Sequence, residues 1–257
     1  MKRIHRNTEL ERRIQERMET RLAAGYERRL RTELRGAAND AAAEYARSGM
    51  LESAIRAHDA AIERALMAMY EAAFLMTGDR MLDAIQDATG KSYRRHETKD
   101  AADVYQAALT AFVRRWTARK VVQISSTTVS MLSRVVQDGI EQGLTVIEIG
   151  KAIRQKGSEF AGYRANLIAR TEIHSASQAG SLAAAQSSEQ VIMKEWIDVG
   201  DDRVRDGDNE DFNHRNVEPV PKNQPFNVDG EELMHPGDPR GSAGNIINCR
   251  CAMTYMV

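Results

Sequence analysis

The distribution of proline constrains the fold of this chain more than any other feature. All five prolines lie between residues 219 and 239, and the first 218 residues contain none. Because proline breaks a helix interior, and because this stretch is rich in Ala, Glu, Arg, Leu and Met, most of it is predicted to be helical. The sequence therefore predicts a mainly α protein, with a helical N-terminal half and a small C-terminal α+β domain whose short strands lie near the C-terminus.

Hydrophobic spacing divides the proline-free stretch into helices. The first is predicted from about Thr8 to Leu34, with an apolar residue at every fourth position, so that the apolar stripe wraps around the helix. Glycines are the expected stops of later helices, namely Gly78, Gly90 and Gly157. A further helix over residues 125–144 is expected to fray at Gly139 and Gly143.

Capping residues mark two further helix starts. Asp100 is predicted to cap a helix that follows a basic connector over residues 91–99, and Thr145 with Glu148 has capping-box spacing. The short helix–turn–helix pattern around Thr145 is more typical of an antiparallel helix pair than of a DNA-recognition helix.

The pattern changes near residue 190. The run "VIMKEWIDV" and the terminal pieces "NIINC" and "AMTYMV" are predicted strands. We place a domain boundary near residue 150, with a helical domain carrying a basic N-terminal arm over 1–150 and a smaller domain over 151–257.

Charge is distributed unevenly along the chain. Residues 1–35 carry eleven Lys and Arg against six Glu, whereas residues 194–240 carry thirteen Asp and Glu against six Lys and Arg. The basic arm is a candidate contact for DNA phosphates or for an acidic partner. Its candidate contact residues are Arg12, Arg13, Arg17, Arg21, Arg28 and Arg29. No run approaches the roughly eighteen apolar residues of a membrane span, and the N-terminus lacks the apolar core of a secretory leader, so we expect synthesis in the cytoplasm and no membrane partner.

Two polar clusters are candidate sites of chemistry. Arg170, Glu172 and His174 alternate along a predicted helix, which spreads them around it and favours an Arg170–Glu172 ion pair over catalysis. The acidic run over residues 198–211 is either a turn whose Asp side chains accept backbone N–H groups, which we favour, or an oxygen-ligand site for a divalent cation. Its acidic residues are Asp198, Asp201, Asp202, Asp206, Asp208, Glu210 and Asp211.

The two cysteines form the last cluster. Cys249 and Cys251, with His214 and His235, make the two-Cys, two-His set that zinc accepts. One intervening residue is too short for a disulfide loop, and in a strand it directs the two thiols to opposite faces. Buried structural thiols are therefore the favoured interpretation and structural zinc the alternative; no other cofactor is predicted. No nucleotide-binding loop or nucleophile elbow occurs, so we expect no enzyme.

The order of these segments resembles the bacteriophage Mu F-like minor head protein family, also called head morphogenesis proteins. "RANLIARTE", "KEWIDVGDDRVRD", "HPGDP" and "NCRC" follow one another over residues 158–251. The matching positions are Arg170, Thr171, Glu172, Trp196, Asp202, Arg203, Arg205, Pro236, Gly237, Asp238, Asn248, Cys249, Arg250 and Cys251. The chain departs from the family at Asp208, where a His is usual, so a metal would have to use His214 or His235 instead.

The resemblance implies a structural, minor capsid protein of the phage virion without enzymatic activity. Such a protein is expected inside the head near the portal, with the portal protein as its partner and the scaffold, the major capsid protein or double-stranded DNA as further partners. Its expected roles are head assembly, DNA packaging and DNA ejection. Two alternatives stay open: a metal-dependent hydrolase or nuclease that uses the acidic run, and a DNA-binding module that uses the basic arm. We also expect Arg250 to pair with the acidic turn around Asp202.

Overall fold

A computed structural model describes residues 2–5, 7–90, 99–207 and 212–257 of the chain. The described elements are α1 Thr8–Ser48, α2 Glu52–Arg56, α3 Asp59–Thr89, α4 Lys99–Glu141, α5 Val146–Ser187, β1 Met193–Ile197, β2 Val220–Pro221, β3 Phe226–Val228, β4 Glu231–Leu233, α6 Ala243–Ile246 and β5 Ala252–Met256. The predicted fold class, mainly helical with short strands near the C-terminus, is confirmed. Within the described residues, no helix is both long enough and apolar enough to cross a membrane.

The helices are longer than predicted, because three of the glycines that were expected to end or fray a helix lie inside one. Gly78 lies within α3, Gly139 within α4 and Gly157 within α5, so the predicted ends at Gly78 and Gly157 and the fraying at Gly139 are wrong. A glycine ends a helix only when it takes a left-handed conformation. These three instead allow close packing: a Cβ built on Gly78 would lie 1.9 Å from the Tyr105 hydroxyl, and one on Gly157 would lie 2.1 Å from the Ala38 Cβ.

Other helix ends agree with the sequence. Gly90 and Gly143 adopt positive φ, at 66° and 69°, directly after α3 and shortly after α4. The capping box is also confirmed, since the Thr145 backbone N–H donates to Glu148 Oε2 at 2.8 Å and the Glu148 N–H donates to Thr145 Oγ1 at 3.3 Å. Lys99, the last residue of the predicted basic connector over residues 91–99, is the first residue of α4, and the rest of the connector and the side chain of Asp100 lie outside the described part of the chain.

The described chain forms two compact units that are discontinuous in sequence. The first contains residues 1–22, 69–113 and 170–257, and the second contains residues 23–68 and 114–169. Residue 150 lies inside α5, and the assignment of separate roles to residues 1–150 and 151–257 stays a prediction.

The second unit is held together by an apolar core from α1, α2, α4 and α5. Small alanines of α1 let the neighbouring helices approach closely, and larger aliphatic side chains fill the remaining space. The buried residues of this core are Ala38, Ala41, Ala42, Tyr45, Leu51, Ile55, Leu132, Ile149 and Ile153. Two late positions of the apolar stripe on α1, Leu30 and Leu34, are buried, whereas its first position, Leu10, is half exposed.

The first unit contains all the strands of the described chain. β1 pairs antiparallel with β5 over its whole length, from Met193 opposite Met256 to Ile197 opposite Ala252, and β2 pairs with the other edge of β1. Residues 2–4 extend the sheet beyond β5, where the Ile4 N–H donates to the Tyr255 carbonyl at 2.9 Å. β3 and β4 form a separate antiparallel hairpin.

The structure confirms the strands predicted around Trp196 and in "AMTYMV", but "NIINC" is not a strand. Its first part is the short helix α6, and Asn248 then takes a left-handed conformation with φ at 56°. Asparagine tolerates this conformation better than most residues, and the chain therefore turns immediately before the first cysteine.

Candidate functional site: a buried cysteine and histidine cluster

The two cysteine thiols face one imidazole in the first unit. Cys249 Sγ lies 3.7 Å and Cys251 Sγ lies 3.5 Å from His214 Nδ1, and all three residues are buried. Across the described ranges, these three are the His, Cys, Asp and Glu residues whose ligand atoms gather within 4.8 Å of one another. Both cysteines are free thiols, as expected from their spacing.

The expectation that the thiols point to opposite faces is wrong, because the cysteines do not share a strand. Cys249 follows the turn at Asn248, and Cys251 precedes the first residue of β5. Alternation of side chains applies only to extended, paired backbone. The irregular backbone from residue 248 to 251 instead brings both sulfur atoms to the same side.

A chain of hydrogen bonds fixes the ring of His214. Its Nε2 lies 2.6 Å from Asn245 Oδ1, and Asn245 Nδ2 donates to Glu231 Oε2 at 3.2 Å. Because the amide nitrogen of Asn245 faces a carboxylate, its oxygen faces the imidazole and accepts the Nε2 proton. The lone pair of His214 is therefore on Nδ1, the atom that faces the two sulfurs. Trp196 packs edge-on against the same ring, with centroids 5.3 Å apart.

His174 lies next to this cluster, on α5. It is 5% exposed, its Nδ1 donates to Glu19 Oε2 at 3.0 Å, and its Nε2 has no hydrogen-bond partner among the described residues. Gly237 closes over the ring with φ at 68°, and a Cβ at this position would lie 3.0 Å from His174 Cδ2. The "HPGDP" segment thus helps to hold the imidazole in place.

The buried groups shift one another's protonation. The hydrogen bond from Cys251 lowers the pKa of the Cys249 thiol well below its usual range, and His174 and His214 act in the same direction against burial. The neighbouring Cys249 sulfur and burial raise the pKa of Cys251. Burial lowers the pKa of His174, but the charge of Glu19 and the sulfur of Cys249 outweigh it and raise this pKa to about 10. The pKa of each of these groups is therefore set by its buried neighbours as well as by burial itself.

A small pocket of about 40 Å³ opens beside the sulfurs. Both cysteines, His174 and Glu19 line it, and Arg170 is exposed at its side. A pocket of this size has room for a water molecule or an ion to reach the cluster.

His235, the second imidazole of the predicted zinc set, is placed differently. Its Nδ1 lies 3.0 Å from the Pro236 carbonyl, and burial lowers its pKa. It is not one of the described residues whose ligand atoms meet at the cysteines. The structure therefore brings together three of the four predicted ligands and leaves His235 out.

Hydrogen bonds of Asp238 and Lys194 hold the "HPGDP" loop in place. Asp238 is buried and accepts the backbone N–H groups of Met234 at 2.7 Å and Arg240 at 3.0 Å. Burial raises the pKa of Asp238, but the charge of His235 and the bonds from Arg240 lower it to about 2. Lys194 donates to the Met234 carbonyl at 2.6 Å, and burial lowers its pKa to about 8.

The acidic turn contacts the cysteine segment through one ion pair. Arg250 binds Asp201 with both terminal nitrogens at 2.8 Å, so the expected pairing with the turn is present but its partner is Asp201 and not Asp202. Arg250 holds the pKa of Asp201 well below its usual range. Asp198 accepts the Gly200 N–H at 2.6 Å, as expected of a turn stabilised by Asp side chains. Asp208, Glu210 and Asp211 lie outside the described residues.

The family-like segments therefore converge on one region. Arg205 donates to the Ile247 carbonyl at 2.6 Å, and the Asn248 N–H donates to Thr171 Oγ1 at 3.4 Å. Glu172, expected to pair with Arg170, is buried and accepts the Tyr70 hydroxyl at 2.6 Å. Residues of α5, of the acidic turn and of the C-terminal segment therefore contact one another beside the cysteine and histidine cluster.

The basic arm is only partly available to a partner. Arg12 is 6% exposed and pairs with Glu9 and Glu16, so it is not a surface contact. Arg13 is exposed and pairs with Glu9 at 2.6 Å. Arg17, Arg21, Arg28 and Arg29 are also exposed on α1.

Sequence reasoning did not assign His174, Glu19 and Asn245 to this region. The spacing of His174 from Arg170 and Glu172 along the helix indicates no cluster, and its neighbours in space come from distant segments. Glu19 and Asn245 lie 155 and 31 residues from the imidazoles they contact, and no local pattern links them.

Comparison with known protein families identifies a match in the C-terminal part of the chain. The family described as Phage Mu protein F like protein matches residues 130–254. No curated protein and no solved structure matches the chain.

Proposed function

We infer from the match of residues 130–254 to the phage Mu protein F-like family that the protein acts in bacteriophage head morphogenesis. The observation that carries the inference is the family match, which contains both cysteines, His174 and His214. We propose further that it is a structural minor capsid protein, located inside the head at the portal vertex, where it takes part in DNA packaging or ejection.

A structural role agrees with the chemistry of the candidate residues. Asp201 is bound by Arg250, and Asp238 is bound by backbone N–H groups and by Arg240. A general base or a cation ligand needs an available lone pair, whereas the oxygen atoms of these two carboxylates already accept hydrogen bonds. We therefore favour a non-enzymatic protein over the metal-dependent nuclease.

An exposed apolar surface supports docking to a protein partner. Ile140, Leu144, Val146 and Ile147, at the turn between α4 and α5, have exposed fractions of 62%, 36%, 49% and 68%. All four lie in the part of the chain that matches the family. Adjacent exposed apolar side chains mark interaction surfaces more often than single ones do, and the portal protein is the partner we propose.

Co-purification with the portal protein of the same phage tests this role. We expect the full chain to co-purify with portal oligomers, and Ile147→Glu to reduce the bound fraction roughly tenfold, because it places a charge in an apolar contact. Val122→Glu is the matched control, since Val122 is 55% exposed on α4 away from the turn, and it should bind as the wild type does.

Two outcomes would contradict the proposal. A wild-type chain that does not co-purify with the portal would refute the docking, and quantitative mass spectrometry of purified heads that finds none of the chain would refute the location.

DNA contact by the arm is a second candidate, favoured by the exposed Arg17 and Arg21 on one face of α1. Binding through phosphates should weaken steeply with salt and should decrease when both arginines are changed to Glu. Binding that is unchanged in this double variant would exclude the arm as the contact.

A further inference from the structure

We propose that Cys249, Cys251, His214 and His174 bind one zinc ion in a closed, tetrahedral structural site. This inference goes beyond the proposed role in the head and does not depend on it. It combines a cluster of three ligand atoms with a fourth buried imidazole that lies beside them.

The spacing of the three gathered atoms fits a zinc ion. Zinc binds thiolate sulfur at about 2.3 Å and imidazole nitrogen at about 2.0 Å, so in a tetrahedron a sulfur and a nitrogen ligand lie about 3.5 Å apart. The sulfurs of Cys249 and Cys251 lie 3.7 and 3.5 Å from His214 Nδ1. These distances match two edges of such a tetrahedron.

Hydrogen bonding alone accounts poorly for this arrangement. The lone pair on His214 Nδ1 accepts one good hydrogen bond, yet two sulfurs face it at similar distances. A cation at the centre of the three atoms would satisfy all of them together. Soft thiolates combined with imidazoles select zinc over magnesium or calcium, which prefer oxygen ligands.

The surroundings of His214 are those of a zinc ligand. A ligating histidine usually donates its other ring N–H to a carbonyl or carboxylate, which fixes the ring and its tautomer. His214 does this with Asn245, which is itself held by Glu231.

We assign His174 as the fourth ligand because it lines the same small pocket as the two cysteines. Its ligand atoms lie outside the group that gathers within 4.8 Å, so its ring would have to move toward the ion. It has the same kind of support, since its Nδ1 donates to the Glu19 carboxylate at 3.0 Å, and its Nε2 is buried without a partner in the described residues. A buried polar atom with no partner is costly, and binding a metal would remove that cost. The Nδ1 of His235 also lies against an oxygen acceptor, the Pro236 carbonyl at 3.0 Å, so His235 is the alternative fourth ligand, and the two histidine variants below decide between them.

Four protein ligands leave no open position, which is typical of a structural zinc and not of a catalytic one. The ion would join α5, the segment after the acidic turn and the segment before β5. These three segments are distant in sequence, so the ion would fasten the C-terminal strand to the helix that carries His174.

The test measures metal binding by the purified full-length chain. We expect one zinc per chain by elemental analysis. X-ray absorption at the zinc edge should show two sulfur neighbours at about 2.3 Å and two nitrogen neighbours at about 2.0 Å. Replacement by Co²⁺ should give the intense absorption of a tetrahedral thiolate site. A chain that binds neither zinc nor cobalt would overturn the site.

Two histidine variants test the fourth ligand. His174→Gln should lower zinc affinity by at least about tenfold and reduce the nitrogen neighbours that belong to imidazole from two to one. His235→Gln, the matched control, should leave both measurements unchanged. If His235→Gln lowers the affinity and His174→Gln does not, the assignment of His174 is wrong.

Asn245→Ala provides an independent measurement that leaves all four ligands in place. Loss of the hydrogen bond to His214 should lower zinc affinity by about 10–100-fold. Far-ultraviolet circular dichroism of each variant separates a lost ligand from a lost fold, and unchanged affinity in a folded Asn245→Ala variant would contradict the role given to His214.

Discussion

Replacement of Gly180 by Ala should destabilise the first unit, because α5 passes very close to α3 at this residue. A Cβ built on Gly180 would lie 2.1 Å from the carbonyl oxygen of Phe74 and 2.9 Å from its Cα. The obstacle is backbone in the middle of α3, so no side-chain rotation relieves it. Phe74 is itself buried against the rings of Tyr105 and Phe112, with centroids 5.5 and 5.9 Å apart.

The magnitude follows from two opposing effects. Alanine is better than glycine in a helix interior by about 1 kcal/mol. Against this, the two helices would have to separate by about 1 Å, and overpacking of this kind costs about 1–3 kcal/mol or more. Because the clash is with rigid backbone, we take the upper part of that range and expect a net loss of about 2 kcal/mol in the free energy of unfolding.

Gly162→Ala is the matched control in the same helix. The nearest atom to a Cβ there is Arg31 Cδ at 3.9 Å, an ordinary contact, so this variant should gain about 0.5–1 kcal/mol. Urea unfolding followed by circular dichroism and tryptophan fluorescence compares the three proteins. A Gly180→Ala variant as stable as Gly162→Ala would refute the close approach of α3 and α5.

Two further predictions concern ion pairs, one in each unit. Arg250→Met removes both bonds to Asp201 and should cost about 1–2 kcal/mol in urea unfolding at neutral pH. Arg250 lowers the pKa of Asp201, so the pair stabilises the fold at pH values above the unfolded pKa of about 3.9. This contribution is lost as the pH falls through the lowered pKa of the folded state. Equal urea midpoints for the variant and the wild type at neutral pH would contradict the prediction. In the second unit, burial lowers the pKa of His58, but hydrogen bonds to Glu33 and Asp40, both at 2.9 Å, outweigh it and raise this pKa. The His58 interactions stabilise the fold fully below the unfolded pKa of about 6.5, and this stabilisation is lost as the pH rises through the raised pKa of the folded state. His58→Gln should therefore remove the change in unfolding free energy over this pH range. An unchanged dependence of unfolding free energy on pH would refute the assignment.

Local patterns were sufficient to predict the helices and two of the longer strands. The proline-free stretch is helical, Thr8 begins α1, the capping box at Thr145 begins α5, and the run around Trp196 is β1. These features depend on a few neighbouring residues, so they are readable from the sequence. The prediction that helices end at Gly78 and Gly157 was wrong, because whether a glycine ends a helix or allows close packing depends on neighbours from distant segments of the chain.

The fold class, the resemblance to the phage family and the residue types of the cluster can all be read from local sequence patterns. The geometry of the cluster depends on the folded chain, which shows that His214 faces the cysteines, that both thiols point the same way and that Arg250 pairs with Asp201. The turn at Asn248 orients Cys249, and contacts separated by tens to more than a hundred residues orient His214 and His174. Propensity acts within a few residues along the chain, whereas the position of a buried polar group is set by its hydrogen-bond partners in space.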